Sequence, residues 1–236
     1  MAIQGFDQLN IVQRRSIPYR EYYGDMDLTK EQKARRENLA FILEDVLAIW
    51  FILVEQRYET DTLNAARDKQ QLTYMIYDAI EGKSYFANEA EQDRYIKNFV
   101  KTTYDTTIEH LEDEDEDVIL KEGITEAKSV DDVEPYWTSE DRAKFIAENE
   151  ANTLINTAEY TEAKAQGYTH KIWMSYGDER VRATHQIVDG AKVPIGVYFD
   201  VGAARMLYPK DVTSELSTGA SHPEETIGCR CSIKYI

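Results

Sequence analysis

Cys229, Cys231 and His185 are the side chains of this chain best suited to chemistry. The cysteines are one residue apart. The histidine closes an eight-residue stretch that also carries Asp178, Arg180 and Arg182. Three kinds of chemistry fit these types. An arginine fork can clamp a carboxylate, so Asp178, Arg180, Arg182 and His185 can form a hydrogen-bonded ion network that braces a loop. His185, Cys229 and Cys231 are borderline and soft donors suited to zinc, with His222 or Asp178 available as a fourth. The Cys-x-Cys spacing is, however, tighter than the usual two to four intervening residues, and there is no second cysteine pair. A catalytic reading pairs His185 with Asp178 as a general base, or uses Cys229 as a thiol nucleophile activated by His185. The flanking sequence shows neither a phosphate-cradling loop nor an oxyanion-hole signature, which favours the bracing role.

Nucleic-acid binding would draw on Arg180, Arg182, Arg205, Lys210 and Arg230, since such side chains contact phosphates. They are interleaved with acids, and the chain carries a net charge of −17. Residues 1–138 hold 16 Lys+Arg against 30 Asp+Glu, whereas 139–236 hold 11 against 14, so the acidity belongs to the front. Such a surface repels DNA at long range. Two cysteines are too few for a disulfide framework and suit a reducing compartment. The first residues contain no apolar core of a secretion signal. The uninterrupted apolar run Val46 to Val54 is far short of the roughly 20 residues that a spanning helix needs. No membrane segment is expected.

Several elements must hold these residues. Residues 1–27 read as an extended arm. Thr29 and Gln32 fit a capping box that opens a helix to about Glu59. Its apolar face carries Leu39, Ile42, Leu43, Val46, Leu47, Ile49, Trp50 and Leu53. That face is wide enough for the central helix of a bundle, or for burial against another subunit. Helices near 62–80 and 88–110 follow. Six consecutive carboxylates, Glu112 to Asp117, must stay solvated and open a hinge over roughly 112–137. Thr138-Ser139-Glu140-Asp141 starts the next helix, with acids in its first turn to match the helix dipole, and Gly167 ends it. Strands are expected at 168–175, within 191–199 and at 231–236. The fold class is therefore α+β: a long N-terminal helical region, 1–137, followed by a small loop-rich C-terminal domain, 138–236.

From Lys171 onward the order of residues carries more than its parts. Trp173 is followed by Asp178-Glu179-Arg180-Val181-Arg182-Ala183-Thr184-His185, then Asp189-Gly190, Phe199, Pro209 and Cys229-Arg230-Cys231. This pattern resembles the C-terminal domain of phage Mu F-like minor head proteins, or head morphogenesis proteins. The helix with Arg142 and Glu150 is similar to that family's lead-in helix. One departure is Gly228, where the family commonly has Asn before Cys-Arg-Cys.

The resemblance implies structural work in a tailed-phage virion. Such proteins sit inside the capsid after assembly in the host cytoplasm, associate with the portal protein, and influence DNA packaging or delivery. Contacts with major capsid or scaffolding protein and with packaged DNA belong to the same picture, and no enzyme activity is expected. Some relatives carry a toxin or ADP-ribosyltransferase domain beyond the Cys-Arg-Cys; none is expected in the five residues after Cys231. On this reading Trp173, Asp178, Arg180, Arg182, His185, Asp189, Gly190, Cys229, Arg230 and Cys231 form a structural set. Zinc on His185, Cys229 and Cys231 is the sharper alternative. The rival functions are a metal-dependent hydrolase or nuclease and a DNA-binding accessory protein.

Overall fold

The computed structural model describes residues 30–80, 83, 85–112, 136–177 and 181–236. The N-terminal arm, most of the acidic run and hinge, and Asp178 with Arg180 lie outside the described residues. Among the described residues four long helices come first: α1 (Lys30–Glu59), α2 (Ala65–Ala79), α3 (Glu89–Glu112) and, after a 3-10 turn at Tyr136–Thr138, α4 (Glu140–Ala165). The tail adds β1 (His170–Met174), the short helix α5 (Ala183–Val188), β2 (Lys192–Pro194), β3 (Phe199–Val201), β4 (Ala204–Met206), α6 (Pro223–Thr226) and β5 (Ser232–Tyr235). The class is α+β, as the sequence pattern predicts.

Local chemistry sets the element ends. Asn64 caps α2 by accepting from the Arg67 amide, and Ser139 caps α4 by accepting from the Arg142 amide. At the other end of α4 the Tyr168 amide reaches back to Ala163 O and the Gly167 amide to Lys164 O, closing a Schellman motif. Strand β1 pairs antiparallel with β2 on one side and β5 on the other, with Trp173 opposite Ile233. Strands β3 and β4 form a separate hairpin.

The described residues form two apolar cores. One gathers Leu43, Leu47, Trp50 and Phe51 of α1, Leu72 and Ile76 of α2, Ile96 and Val100 of α3, and Ala147, Ala151 and Leu154 of α4. The other gathers Tyr160 at the end of α4 with Trp173, Phe199, Met206, Tyr208, Cys229, Cys231 and Ile233. Helix α4 thus serves both, and every residue from Ala151 to Tyr160 is buried. The sequence pattern marks the first helix as the central one; the structure gives that place to α4. Ile42 and Ile49, expected on the buried face of α1, are exposed, while Phe51 and Val54 are inside. Where a helix is apolar all round, spacing alone cannot choose the inner side.

Buried charge joins the helices. Arg36 of α1 is fully buried. Its guanidinium meets Glu159 of α4 through two parallel bonds of 2.9 Å. It also donates to Asn152 at 3.1 Å, Asn156 at 2.9 Å and Gln32 O at 3.2 Å. All five N–H donors of the side chain are used, which repays the cost of taking the charge out of water. Arg142 of α4 lies over the Phe51 ring and donates to Thr107 of α3 at 2.7 Å. Burial pulls its pKa down to about 9. Glu148 is less well served: burial pushes its carboxyl up to about 8, and its Oε1 has no partner among the described residues.

Two outcomes follow from these buried charges. Arg36→Ala strands Glu159 and two amides, and costs about 3–5 kcal/mol in urea-denaturation experiments. Arg36→Lys recovers less than half of that, because an ammonium cannot reproduce the fork. Glu148→Gln stabilises the protein in a pH-dependent way. Below the unfolded-state pKa near 4.5 both states are protonated and the gain is small; between there and about pH 8 the unfolded state ionises while the folded state resists. The gain therefore grows across that window and levels off above it, reaching on the order of a few kcal/mol, readable from melting curves at pH 5 and pH 8.5.

Candidate functional site

Strand β1 sends Lys171 and Trp173 inward and leaves His170, Ile172 and Met174 partly exposed. The chain then turns back on itself. Asp189 accepts from the Ser175 amide at 2.6 Å, the Gly190 amide donates to Trp173 O at 2.8 Å, and the Trp173 amide donates to Ala191 O at 3.1 Å. The Asp-Gly pair is thus a backbone clasp that returns the loop to β1. Within that loop α5 projects His185 into the core, edge-on to the Trp173 ring.

His185 is the hub. Its Nδ1 lies 3.3 Å from Cys231 Sγ and 3.6 Å from Cys229 Sγ. Its Nε2 lies 3.1 Å from Glu225 Oε2, which also accepts from Thr184 Oγ1 at 2.8 Å. Gly202 makes room for this carboxylate: a Cβ there would fall 2.0 Å from Glu225 Oε1. All four residues of the cluster are buried. Of the ion network expected around His185, Asp178 and Arg180 lie outside the described residues. Its carboxylate among the described residues is Glu225, forty positions away. Arg182 instead donates to Ile227 O.

The cysteines are placed by α4. Asn149, Asn152 and Asn156 are spaced three and four apart and so share a helix face. Asn149 Oδ1 accepts from the Gly228 amide at 2.9 Å. Asn152 Nδ2 donates to Cys229 O at 2.8 Å. Asn156 Nδ2 donates to Cys231 O at 3.2 Å and to Pro209 O at 3.3 Å. The Cys-Arg-Cys backbone is thus laid residue by residue on an asparagine ladder, with both thiols facing His185. Arg230 turns the other way and stacks 4.0 Å over the Tyr176 ring. Gly228 enters this run at φ +68°. Glycine takes that left-handed conformation without the Cβ clash that most residues meet there, so Gly228 suits the turn.

The electrostatics follow from this packing. Burial opposes charge on Cys229, but the Cys231 hydrogen bond and the adjacent His185 hold its thiol well below the usual range. Cys231 is pushed well above it by the same hydrogen bond and by burial. Burial alone would lower the His185 pKa; the Cys229 sulfur facing it raises the value instead. A Cys-His-Glu line resembles a nucleophile and its base, yet these side chains are all buried, the Glu225 side chain being the most exposed at 8 %. The expected phosphate-binding cations are dispersed: Lys210 and Arg230 are buried, whereas Arg205 is exposed. Lys210 donates to Asn149 O at 2.7 Å. Among the described residues no helix is long and apolar enough to cross a membrane.

Comparison with known proteins adds one match. A family model described as phage Mu protein F like protein fits residues 109–234, more than half of the chain. No curated protein and no solved structure matches. The matched span holds α4, the asparagine ladder and the whole His-Cys cluster.

The ladder is open to a direct test. Asn156→Ala leaves Arg36, Pro209 O and Cys231 O each short of a partner. It costs about 2–4 kcal/mol in denaturant titrations and speeds labelling of the native thiols. Asn38→Ala, on the exposed side of α1, stays within about 0.5 kcal/mol.

Proposed function

The chain belongs to the phage Mu protein F like family, and from that premise we propose that it is a minor capsid protein docking on the portal inside a tailed-phage head. Membership itself points to head morphogenesis and to contact with other head components. The finer role proposed here is non-enzymatic: the protein sits in the capsid interior, reaches it from the host cytoplasm during assembly, and supports DNA packaging or delivery. Residues 138–236 supply the rigid module, and residues 1–137 supply most of the docking surface.

One observation carries the docking reading. Phe41, Ile42, Ile49 and Ile52 are 64 %, 38 %, 53 % and 52 % exposed and lie on the side of α1 turned away from the core. At 100° per residue these positions fall within about a quarter to a third of the helix circumference. An apolar row of this kind on a folded helix marks a contact surface more often than a solvent face. Burying it against a partner excludes water from aromatic and aliphatic groups at the centre of the contact, where binding energy concentrates. The opposite side of α1 cannot serve, because Leu43, Leu47, Trp50 and Arg36 are already committed to the core.

The test is co-purification with the portal protein of the same phage. Removal of α1 would dismantle the core, so surface changes are the cleaner probe. The wild type is expected to co-purify. Combined Phe41→Glu, Ile49→Glu and Ile52→Glu changes are expected to abolish the complex while leaving the melting temperature within a few degrees. Retention of the complex by the folded triple variant would place the docking surface elsewhere, and failure of the wild type to bind would remove the portal role.

A further inference from the structure

We propose that His185 Nδ1, Cys229 Sγ and Cys231 Sγ bind one zinc ion, which staples α5 to the tail. The three donor atoms lie within 4.8 Å of one another. In a tetrahedral site with Zn–S about 2.3 Å and Zn–N about 2.0–2.1 Å, a nitrogen and a sulfur ligand are about 3.5 Å apart. The separations found here are 3.3 and 3.6 Å. Both nitrogen–sulfur separations are therefore those that an ion between the donors requires, and the two sulfurs are no more than 4.8 Å apart.

Three further features fit a cation better than a hydrogen-bonded core. First, one imidazole nitrogen faces two sulfurs, and its single proton or lone pair can be shared with one of them at a time, the other being left to the bond between the two cysteines. A metal bonds to all three at once. Second, Glu225 accepts at Nε2, which places the ring proton there and leaves the Nδ1 lone pair directed at the sulfurs. A carboxylate behind a histidine is the usual outer support of a metal-bound imidazole. Thr184 and the space left by Gly202 hold that carboxylate in turn. Third, the Trp173 side chain is fully buried and its indole N–H is directed at Cys231. An N–H aimed at a thiolate favours the charged, metal-binding form of that sulfur.

The donor set also selects the ion. Two thiolates and an imidazole suit zinc and exclude magnesium or calcium, which take oxygen ligands. Three protein ligands leave the fourth position to a small ligand such as water. No turnover is assigned to the ion; its role is to tie a tail of short strands and turns into one piece, as structural zinc does in small domains.

The experiment uses the full chain, purified with zinc present and freed of loose metal by gel filtration. About one zinc per chain is expected by elemental analysis. Cobalt(II) in its place is expected to give a thiolate-to-cobalt charge-transfer band together with tetrahedral visible absorption. Cys229→Ser and His185→Ala should each reduce bound zinc at least tenfold. Should either variant fail to fold, the wild-type cobalt spectrum decides independently. Glu225→Gln keeps all three donors and should weaken zinc about 10–100-fold. Folded wild-type protein that holds no zinc and shows no cobalt–thiolate band would overturn the proposal, and so would zinc content unchanged in a folded His185→Ala variant.

Discussion

The guanidinium of Arg36 is the fastening on which both halves of the molecule depend. Its five donors are spent on one face of α4 and one carbonyl of its own helix. The acceptors on α4 are Asn152, Asn156 and Glu159, and the first two are also rungs that hold the tail. Each asparagine accepts from Arg36 through its oxygen and donates to a tail carbonyl through its nitrogen. An amide can do this only when both neighbours are in place, so the network is satisfied as a whole or not at all.

This constraint extends to the site. The backbone of residues 228–231 does not depend on strand pairing alone; it rests on a helix that is itself locked by a buried ion pair. The thiols are therefore held in one orientation toward His185, and Glu225 fixes the ring from the far side. In the proposed zinc site, side chains so placed would need little rearrangement to take up an ion. On the outer surface the same arrangement leaves α1 with one side locked inward and one apolar row free for a partner. In the proposed head-assembly role, stiffness of the module and exposure of the row are two consequences of one packing choice.

Much of the fold could be read in advance, because caps and breakers act locally. Ser139 and Gly167 bound α4 by hydrogen bonds within a few residues, and the alternation after Cys231 makes a strand wherever it pairs. His185, Cys229 and Cys231 were recognisable from residue type, and the structure brings them together. The partners that position them were not recognisable. Arg36 stands in a charged first stretch that looks solvated, and its partners lie 116 to 123 residues away. Glu225 looks like one more surface acid. The Asn149-Asn152-Asn156 spacing was visible on a helix face, but polar residues there read as solvent-facing until two cores are known to flank the same helix. The inward side of α1 was unreadable for a related reason: Val46 to Val54 is apolar in every direction, so only the docking of α4 decides which side is covered.

The central claim is that the asparagine ladder makes the helices and the tail one cooperative unit. Native-state hydrogen exchange on the intact protein tests it most directly, by comparing amides of Leu47 and Leu154 in the helices with those of Trp173 and Ile233 in the tail sheet. The account predicts equal opening free energies and the same denaturant dependence for both groups. Tail amides that exchange through a separate opening several kcal/mol cheaper, while the helix amides stay protected, would contradict it.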